Sequence, residues 1–485
     1  MRRAFLAALA LVAGAAPLGA DEIRAQEAHP VFPAPPQVSR LPNGLRVISI
    51  PWPSPGIVAY YTLVRVGSRD EVEEGHSGFA HLFEHMMFRG TEAMPGDEYE
   101  ARVQALGADN NAYTDRDLTM YTVTAPSEQL DEIVALEAER FQRLSYSEED
   151  FRTETGAVQG EYAKSASSPF LPMWEALNEL AFERHTYGHT TLGYLRDICA
   201  MPEEYAYSRR FFQRFYTPDN TTLVVAGDVD HAALLAAVRS AYGSWRGRRA
   251  RDAVPAEPGV RSGARHLVWN GSAPPRVLLG YRTPAFAGGA TRPAARAAAL
   301  RETAALDVVR KLVFSEASPL YRRLVNEERK LLRLESYEAH TRDPGLFLVG
   351  AQLPPPEEVP SVEARDAAFA EIVDAVQGEL RRLAEGRIDP ERFARTSSHL
   401  RYALLAEVAT PNDAANLLGR MIAVGDDTGT LEAYLRALAA VTPDDVARVA
   451  GAYLVPERRI QITLAPPAQG ETAPAPPEPL CPEAE

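Results

Sequence analysis

The sequence predicts an α+β protein made of two halves of similar architecture. Segments of strand-like composition alternate with amphipathic helices along the 485-residue chain. A chain of this length is too long for one hydrophobic core, so two or three domains are expected. Tyr216-Thr217-Pro218 precedes one apolar strand and Tyr453-Leu454-Val455-Pro456 precedes another, each after a helix. This faint repeat indicates that the second half follows the organisation of the first.

The N-terminus has the pattern of a secretion signal. A pair of arginines precedes an apolar run, Ala4–Ala16, and small residues follow it. We therefore interpret residues 1–20 as a signal peptide, removed near Ala20 or slightly later near Ala25. A periplasmic or secreted mature protein is expected, and no other stretch is long and apolar enough to span a membrane.

Composition excludes several classes of function. Hydrophobic residues make up 46% and charged residues 24% of the chain, as in ordinary soluble globular proteins. The formal net charge of −15 argues against a nucleic-acid or anionic-membrane partner. Cys199 and Cys481 are the two cysteines, fewer than a disulfide-stapled secreted domain carries. A bridge between them would require the C-terminal tail to fold back, and we do not expect one.

The stretch Ser77–Gly90, SGFAHLFEHMMFRG, is predicted to be a short helix. Ser77 is suited to cap its start, and Gly90 is suited to end it in the left-handed conformation. Arg89 would place a cation at the negative end of the helix dipole. His76 precedes the helix and is interpreted as a polar loop residue.

Three side chains of this helix point to metal chemistry. His81, Glu84 and His85 stand at i, i+3 and i+4, which puts them on one face. Two imidazoles one turn apart can bind one metal ion, and the carboxylate between them can reach a water on that ion. This is the H-x-x-E-H arrangement. The alternative is a buried helix whose histidines are simply hydrogen-bonded.

Two later stretches carry further candidates. Asn111 and Ala112 lie where a polar loop runs into a strand, a plausible sheet edge for holding an extended peptide through its backbone. A plain turn is the alternative. Ser147 is expected to open a helix that carries Glu154 and Glu161, seven residues apart and therefore on one face.

Together these residues resemble the pitrilysin and insulinase family of zinc peptidases, the inverzincins. The resemblance is greatest to the half-length subgroup of mitochondrial processing peptidase subunits and their bacterial relatives. It covers roughly residues 41–464. In this family a third ligand, a Glu, lies roughly 76 residues past the second His, and here 161 minus 85 is 76.

The resemblance implies a role for each candidate. It assigns His81, His85 and Glu161 as zinc ligands and Glu84 as the general base. Glu154 would be a carboxylate that contacts a ligand without binding the zinc itself. Asn111 and Ala112 would lie on the strand that holds the substrate backbone. The chemistry agrees, because two His and one Glu leave a fourth position for water, which zinc acidifies and Glu84 deprotonates for attack on a peptide carbonyl.

The resemblance also implies a processing-peptidase-like fold of two similar α/β-sandwich domains, each an antiparallel-rich sheet covered by helices. The predicted segments after the signal peptide are a leader (21–37), a catalytic zinc-binding domain (38–245), a linker (246–265), an inactive repeat domain (266–465) and a disordered tail (466–485).

The second half departs from the family pattern at one point that bears on whether one chain or two form the working protein. Active family members, or their partner chains, carry an Arg and a Tyr in the second half that hold substrate. The matching region, residues 322–333, lacks the Tyr, and Tyr337 follows a little further on. The family closes two such half-length chains around a chamber, so we expect a homodimer or a heterodimer with a second family chain.

Three functions are compatible with this sequence. The leading hypothesis is a secreted zinc metallopeptidase that hydrolyses peptides or unfolded segments. A second is a non-catalytic or partner-dependent binding subunit of a two-chain peptidase, which need not keep the complete motif. A third is a lyase of the S-ribosylhomocysteine type, which shares H-x-x-E-H but is far shorter and uses a Cys ligand.

Overall fold

A computed structural model describes residues 31–249, 253–287, 292–338, 340–472 and 481. These residues form two sheets flanked by helices. The first sheet has the strand order β1-β2-β6-β3-β5-β4. Within it β2 and β6 pair in parallel and all other neighbours pair antiparallel. Its strands are β1 (Gln37–Arg40), β2 (Arg46–Pro51), β3 (Ile57–Val64), β4 (Asp109–Thr114), β5 (Thr119–Pro126) and β6 (Thr221–Gly227).

The second sheet repeats this topology. Its order is β7-β11-β8-β10-β9, with one parallel pair, β7 with β11, and otherwise antiparallel neighbours. Each strand therefore has a counterpart in the first sheet, and β9 is an edge strand as β4 is. The strands are β7 (Gly263–Val268), β8 (Arg276–Arg282), β9 (Arg333–Glu338), β10 (Leu346–Gln352) and β11 (Arg459–Ala465).

The α+β fold of two similar halves is confirmed. Tyr216 and Tyr453 precede β6 and β11, which occupy the same position in their sheets. The helices of the first half are α1 (Phe79–Met86), α2 (Gly96–Ala105), α3 (Leu130–Arg143), α4 (Glu148–Ala166), α5 (Phe170–Ala181), α6 (Leu195–Ala200), α7 (Tyr205–Phe215) and α8 (His231–Tyr242). Those of the second half are α9 (Pro293–Phe314), α10 (Pro319–Tyr321), α11 (Val362–Ala384), α12 (Pro390–Ala406), α13 (Pro411–Gly425), α14 (Thr430–Ala439) and α15 (Pro443–Tyr453).

One helix of each half packs against the sheet of the other half. Helix α5 packs against β11 and β8, where Leu177 joins Ile462 in one apolar cluster. Helix α13 packs against β3 and β6, where Leu418 joins Val224. Burial of these side chains removes apolar surface of both halves from water. The two halves therefore form one packed unit.

Several local signals predict the observed elements correctly. The side chain of Ser147 caps α4 by accepting the N–H of Asp150, and Asp150 returns a bond to the N–H of Ser147. Thr410 caps α13 in the same way. Across the described ranges, no helix combines the length and apolar character needed to cross a membrane.

Some elements differ from the expectations. Strand β7 begins at Gly263, inside the predicted linker 246–265, because its residues add in parallel to β11. The region 322–333, in which the resemblance places a substrate-holding Tyr, begins with a π-helix, Arg322–Glu327, that directly follows the single turn α10. The predicted signal peptide and residues 21–30 of the leader lie outside the described residues.

The expectation of unpaired cysteines is wrong. Cys481 forms a disulfide with Cys199, the fifth residue of α6. The tail therefore does fold back onto the first half, and residues before it are already bound to the second half, as when the N–H of Gln469 donates to Pro360 O. The bridge spans 282 residues of sequence.

We expect this disulfide to stabilise the native state, because it closes a very long loop in the unfolded chain. Loss of such a bond costs about 2–5 kcal/mol. A Cys199→Ser, Cys481→Ser double variant should unfold at a lower temperature than the oxidised wild type in a thermal melt. Reductant should lower the wild-type midpoint and leave the variant unchanged. Equal midpoints for all samples would show that the bond contributes nothing.

Candidate metal centre

The start of α1 is fixed from outside the helix. Gly78 precedes α1 with φ 91°, a conformation that favours glycine. The buried Glu71 accepts the N–H groups of Gly78 and Ala80 at 2.9 and 2.7 Å. Ser77 does not cap the helix as predicted, because its hydroxyl donates to Asp197 at 2.6 Å. The sequence carries no spacing signal for Glu71, which lies in a loop well before α1.

The end of α1 also differs in detail from the prediction. Gly90 has the expected left-handed conformation, with φ 87°, but the helix already ends at Met86. A side chain at Gly90 would also be blocked, because a Cβ there would lie 2.4 Å from the carbonyl oxygen of Met94. Arg89 does not face the helix end but forms an ion pair with Glu154.

The structure brings the three predicted metal ligands together. Glu161 Oε2 lies 3.4 Å from His81 Nε2 and 3.6 Å from His85 Nε2. One donor atom from each of the three residues can be chosen so that all lie within 4.8 Å of one another. Two donors of a tetrahedral zinc ion with ordinary bond lengths are separated by about 3.4 Å. The donor set and its spacing therefore fit zinc.

The protonation of His81 suits a metal ligand. Burial, with a smaller contribution from His85, lowers the pKa of His81 to about 4. Its imidazole is therefore neutral at pH 7, which is the form that binds metal ions. His76 lies apart from this cluster, as expected, with its ring stacked on Tyr207 and within 3.3 Å of Glu204.

Glu154 contacts the Nδ1 atom of His85. Its Oε2 lies 3.2 Å from His85 Nδ1, and its other oxygen pairs with Arg89. The hydrogen bond with Glu154 raises the pKa of His85 and lowers the pKa of Glu154 itself. A carboxylate in this position fixes the tautomer that leaves Nε2 free for a metal. Glu154 therefore lies where the sequence predicts it, next to a ligand but outside the donor set.

Glu84 faces the same centre without joining the donor set. The hydroxyl of Thr114, the last residue of β4, donates to Glu84 Oε2 at 2.7 Å. Burial raises the pKa of Glu84 above its usual value. This makes the carboxylate a stronger base than an exposed one. Thr114 is a site residue that the sequence did not predict, since nothing in its local pattern indicates a contact with α1.

The Asn111 and Ala112 stretch forms the edge strand β4, and the alternative of a plain turn is wrong. Strand β4 pairs with β5 on one side and is the last strand of its sheet. The N–H of Ala112 donates to the side-chain oxygen of Asn111 at 2.8 Å. The open side of β4 therefore offers backbone groups beside the residue that contacts Glu84.

Comparison with known families decides the relationship. Residues 46–194 match the insulinase (peptidase family M16) model, and residues 205–400 match the peptidase M16 inactive domain model. This chain belongs to the M16 peptidase family. The predicted resemblance to this family is thereby confirmed.

Individual M16 relatives extend over most of the chain. A zinc protease from Helicobacter pylori, PqqE, is 26% identical over 88% of this chain and 92% of its own length. An uncharacterized zinc protease from Streptomyces coelicolor is 25% identical over 84% of this chain and 85% of its own. These names support a zinc metallopeptidase in general.

Solved structures of M16 proteins share the fold. The crystal structure of a protease from Helicobacter pylori has a TM-score of 0.77 at 26% identity, covering 89% of this chain and 99% of its own. A putative M16-like peptidase from Alicyclobacillus acidocaldarius has the same TM-score at 21% identity, covering 90% and 99%. The second likeness shows the fold alone.

The contact of Glu154 with His85 predicts an effect on metal affinity. Glu154→Ala removes the carboxylate that orients the imidazole, and zinc binding should weaken about 10- to 100-fold. Competition with a chromophoric chelator measures this affinity. Glu149→Ala, on the exposed side of the same helix, is the matched control and should bind zinc as wild type does. Equal affinities for the two variants would contradict the role of Glu154.

Proposed function

We propose that this chain is an exported zinc metallopeptidase that hydrolyses peptide bonds in peptides or unfolded segments, with Glu84 as general base. The observation that carries the proposal is the convergence of His81, His85 and Glu161 on one point, with Glu84 facing it from the same helix. A structural role for the buried His81 and the half-buried His85 does not require a carboxylate from a separate helix at ligand distance.

The residues around Glu84 support its assigned role. Bound zinc would supply Lewis-acid activation of the peptide carbonyl and of water. Glu84 takes a proton from the attacking water and then delivers it to the leaving amine. The hydroxyl of Thr114 fixes one oxygen of Glu84, so the other oxygen is held in one orientation. Its raised pKa favours the first of these transfers, in which Glu84 accepts a proton.

The edge strand β4 supports an extended peptide as substrate. A peptide that pairs with an open sheet edge gains backbone hydrogen bonds whatever its side chains are. The side chain of Asn111 covers the N–H of Ala112 in the free protein, and a substrate carbonyl would replace it. Because β4 ends at Thr114, a bound peptide would pass next to Glu84.

Export to an oxidising compartment is supported by two independent features. The N-terminal sequence has a charged pair, an apolar run and small residues. The disulfide between Cys199 and Cys481 is stable in the periplasm or outside the cell and uncommon in the cytoplasm. We therefore place the mature protein in the periplasm or outside the cell.

We further propose that the working form contains two chains, either identical or from two family members. In the second half the residues expected to hold substrate are incomplete. Tyr337 lies on the edge strand β9 with 53% of its surface exposed, outside the region 322–333 where the resemblance places the Tyr. A second chain would complete a chamber around β4.

The role of Glu84 can be tested directly. Glu84→Gln should retain zinc, because Glu84 is outside the donor set, but peptide cleavage should fall about a hundred- to ten-thousand-fold. Metal analysis and a mixed-peptide digest measure the two properties. Wild-type activity should disappear with chelator and return with added zinc. If wild type cleaves nothing with zinc bound, the chain is a binding subunit; unchanged turnover in the variant would refute the base.

The two-chain proposal predicts the mass in solution. Light scattering on the mature protein should give twice the mass of one chain when the chain pairs with itself. A monomer that becomes active on addition of a second family chain would support the heterodimer. A strictly monomeric protein with full peptidase activity would rule out the two-chain chamber.

A further inference from the structure

A cavity of about 440 Å³ lies between the two halves, apart from the metal centre. The turn between β4 and β5 forms one wall, and helices α9, α12 and α13 with the end of β9 form the others. Charged and apolar side chains both line it, among them Arg116, Arg310, Lys311, Glu338, Leu404 and Met421.

This cavity is the counterpart of the metal centre in the second half. Helix α9 contacts the edge strand β9 and helix α12, just as α1 contacts β4 and α4. On α9, Asp307, Arg310 and Lys311 stand at i, i+3 and i+4, the spacing of the H-x-x-E-H residues on α1. A Phe follows three residues later in both sequences, Phe88 just after α1 and Phe314 at the end of α9. The second half thus keeps the architecture but has Asp307, Arg310 and Lys311 at the spacing of His81, Glu84 and His85.

Most acidic side chains that line the cavity already form hydrogen bonds or ion pairs with neighbouring residues. Asp307 accepts from Tyr434 at 2.6 Å and lies 2.9 Å from His340 Nε2 and 3.3 Å from Arg310 Nε. Asp115 pairs with Arg420 at 2.8 Å. These contacts leave little net negative charge on that side of the cavity.

Asp117 is satisfied in the same way, accepting from the hydroxyl of Tyr187 and the backbone N–H of Arg342. Glu407, beyond the end of α12, is exposed to solvent. Its charge is therefore screened by water more than the charges inside the cavity.

Two cations of the cavity have no carboxylate partner. Within the described part of the chain, no carboxylate lies at ion-pair distance from Lys311 or Arg116. Lys311 is half-buried, and burial together with Arg310 lowers its pKa. Arg116 donates to the amide oxygen of Asn178 and lies over the ring of Tyr187. The cavity therefore offers unpaired positive charge in a partly desolvated place.

Glu338 supplies an unpartnered hydrogen-bonding group. This residue ends β9, is 7% exposed, and has one carboxyl oxygen without a partner among the described residues. Burial raises the pKa of Glu338 well above its usual value, and a hydrogen bond with Thr283 opposes that shift. Glu338 is therefore a buried polar group in the wall of the cavity.

An apolar wall completes the cavity. Helix α12 presents Leu400 and Leu404, and α13 presents Leu417 and Met421. Trp174 of α5 lines the cavity as well. A ligand that fits must therefore combine an anionic group with an apolar one.

We propose that this cavity binds the carboxyl terminus of a peptide, with the carboxylate at Lys311 and an apolar last side chain against α12 and α13. The inference rests on the proposed function for the choice of a peptide. A peptide paired with β4 passes Thr114, and the next residues of the chain, Asp115 and Arg116, already line the cavity. The substrate edge and the cavity are thus continuous.

Binding of a short peptide, acetyl-Ala-Ala-Ala-Leu, tests the proposal. Calorimetry on the full-length, zinc-loaded Glu84→Gln protein compares the free acid with its C-terminal amide. The free acid should bind at least about tenfold more tightly, because only it carries the charge that Lys311 can pair. Lys311→Met in the same background should weaken the free acid to the level of the amide and leave the amide unchanged.

A matched control distinguishes this cavity from a carboxylate site elsewhere on the protein. Lys330→Met removes a cation from the surface, where Lys330 pairs with Glu371, and should preserve the preference for the free acid. A preference that survives Lys311→Met would place the carboxylate elsewhere, for instance on the zinc, and would overturn the proposal. Equal binding of acid and amide would do the same. Neither result bears on cleavage by the wild type, so the proposed function can hold if this inference fails.

Discussion

The metal centre depends on how the eight-residue helix α1 is held against α4. A helix of this length is not stable by itself, so tertiary contacts must fix it. Glu71 binds two N–H groups at its start, and the hydroxyl of Tyr121 donates to the carbonyl of Phe83 near its end. Asp197 fixes the preceding residue, Ser77, from α6. The distances from the two imidazoles to the α4 carboxylate therefore depend on residues outside the donor set.

The arrangement of the candidate site is largely predictable because much of it is encoded locally. Residues at i, i+3 and i+4 of a helix must share a face, so His81, Glu84 and His85 needed no tertiary information. Glu161 is predicted from its distance in sequence to His85, which the family resemblance supplies. Glu71 and Thr114 were missed for the opposite reason. Each reaches the helix from a distant segment, and neither has a composition or spacing that separates it from an ordinary polar residue.

The fold shows the same division between local and tertiary information. Apolar, β-branched strands such as β6 are evident from composition. Strand β9, with the sequence RLESYE, is not evident from composition. An edge strand with one solvent-exposed face lacks a continuous apolar run. Helix α5 carries Pro172 in its first turn, and its apolar face covers the sheet of the other half. The local sequence does not indicate which sheet this face covers. The bond of Cys481 depends on the path of the tail, which no local pattern describes.

The repeat explains how one chain can hold a metal site and a differently charged cavity. The sheet order places a helix between an edge strand and a second helix in each half, whatever side chains the helix carries. In the first half, the buried imidazole of His81, the imidazole of His85 and the carboxylate of Glu161 form a donor set that suits a cation. In the second half, Arg310 and His340 already offset Asp307, so no cation is needed and Lys311 remains unpaired. The same architecture therefore presents imidazole and carboxylate donors in one half and a lysine without an ion-pair partner in the other.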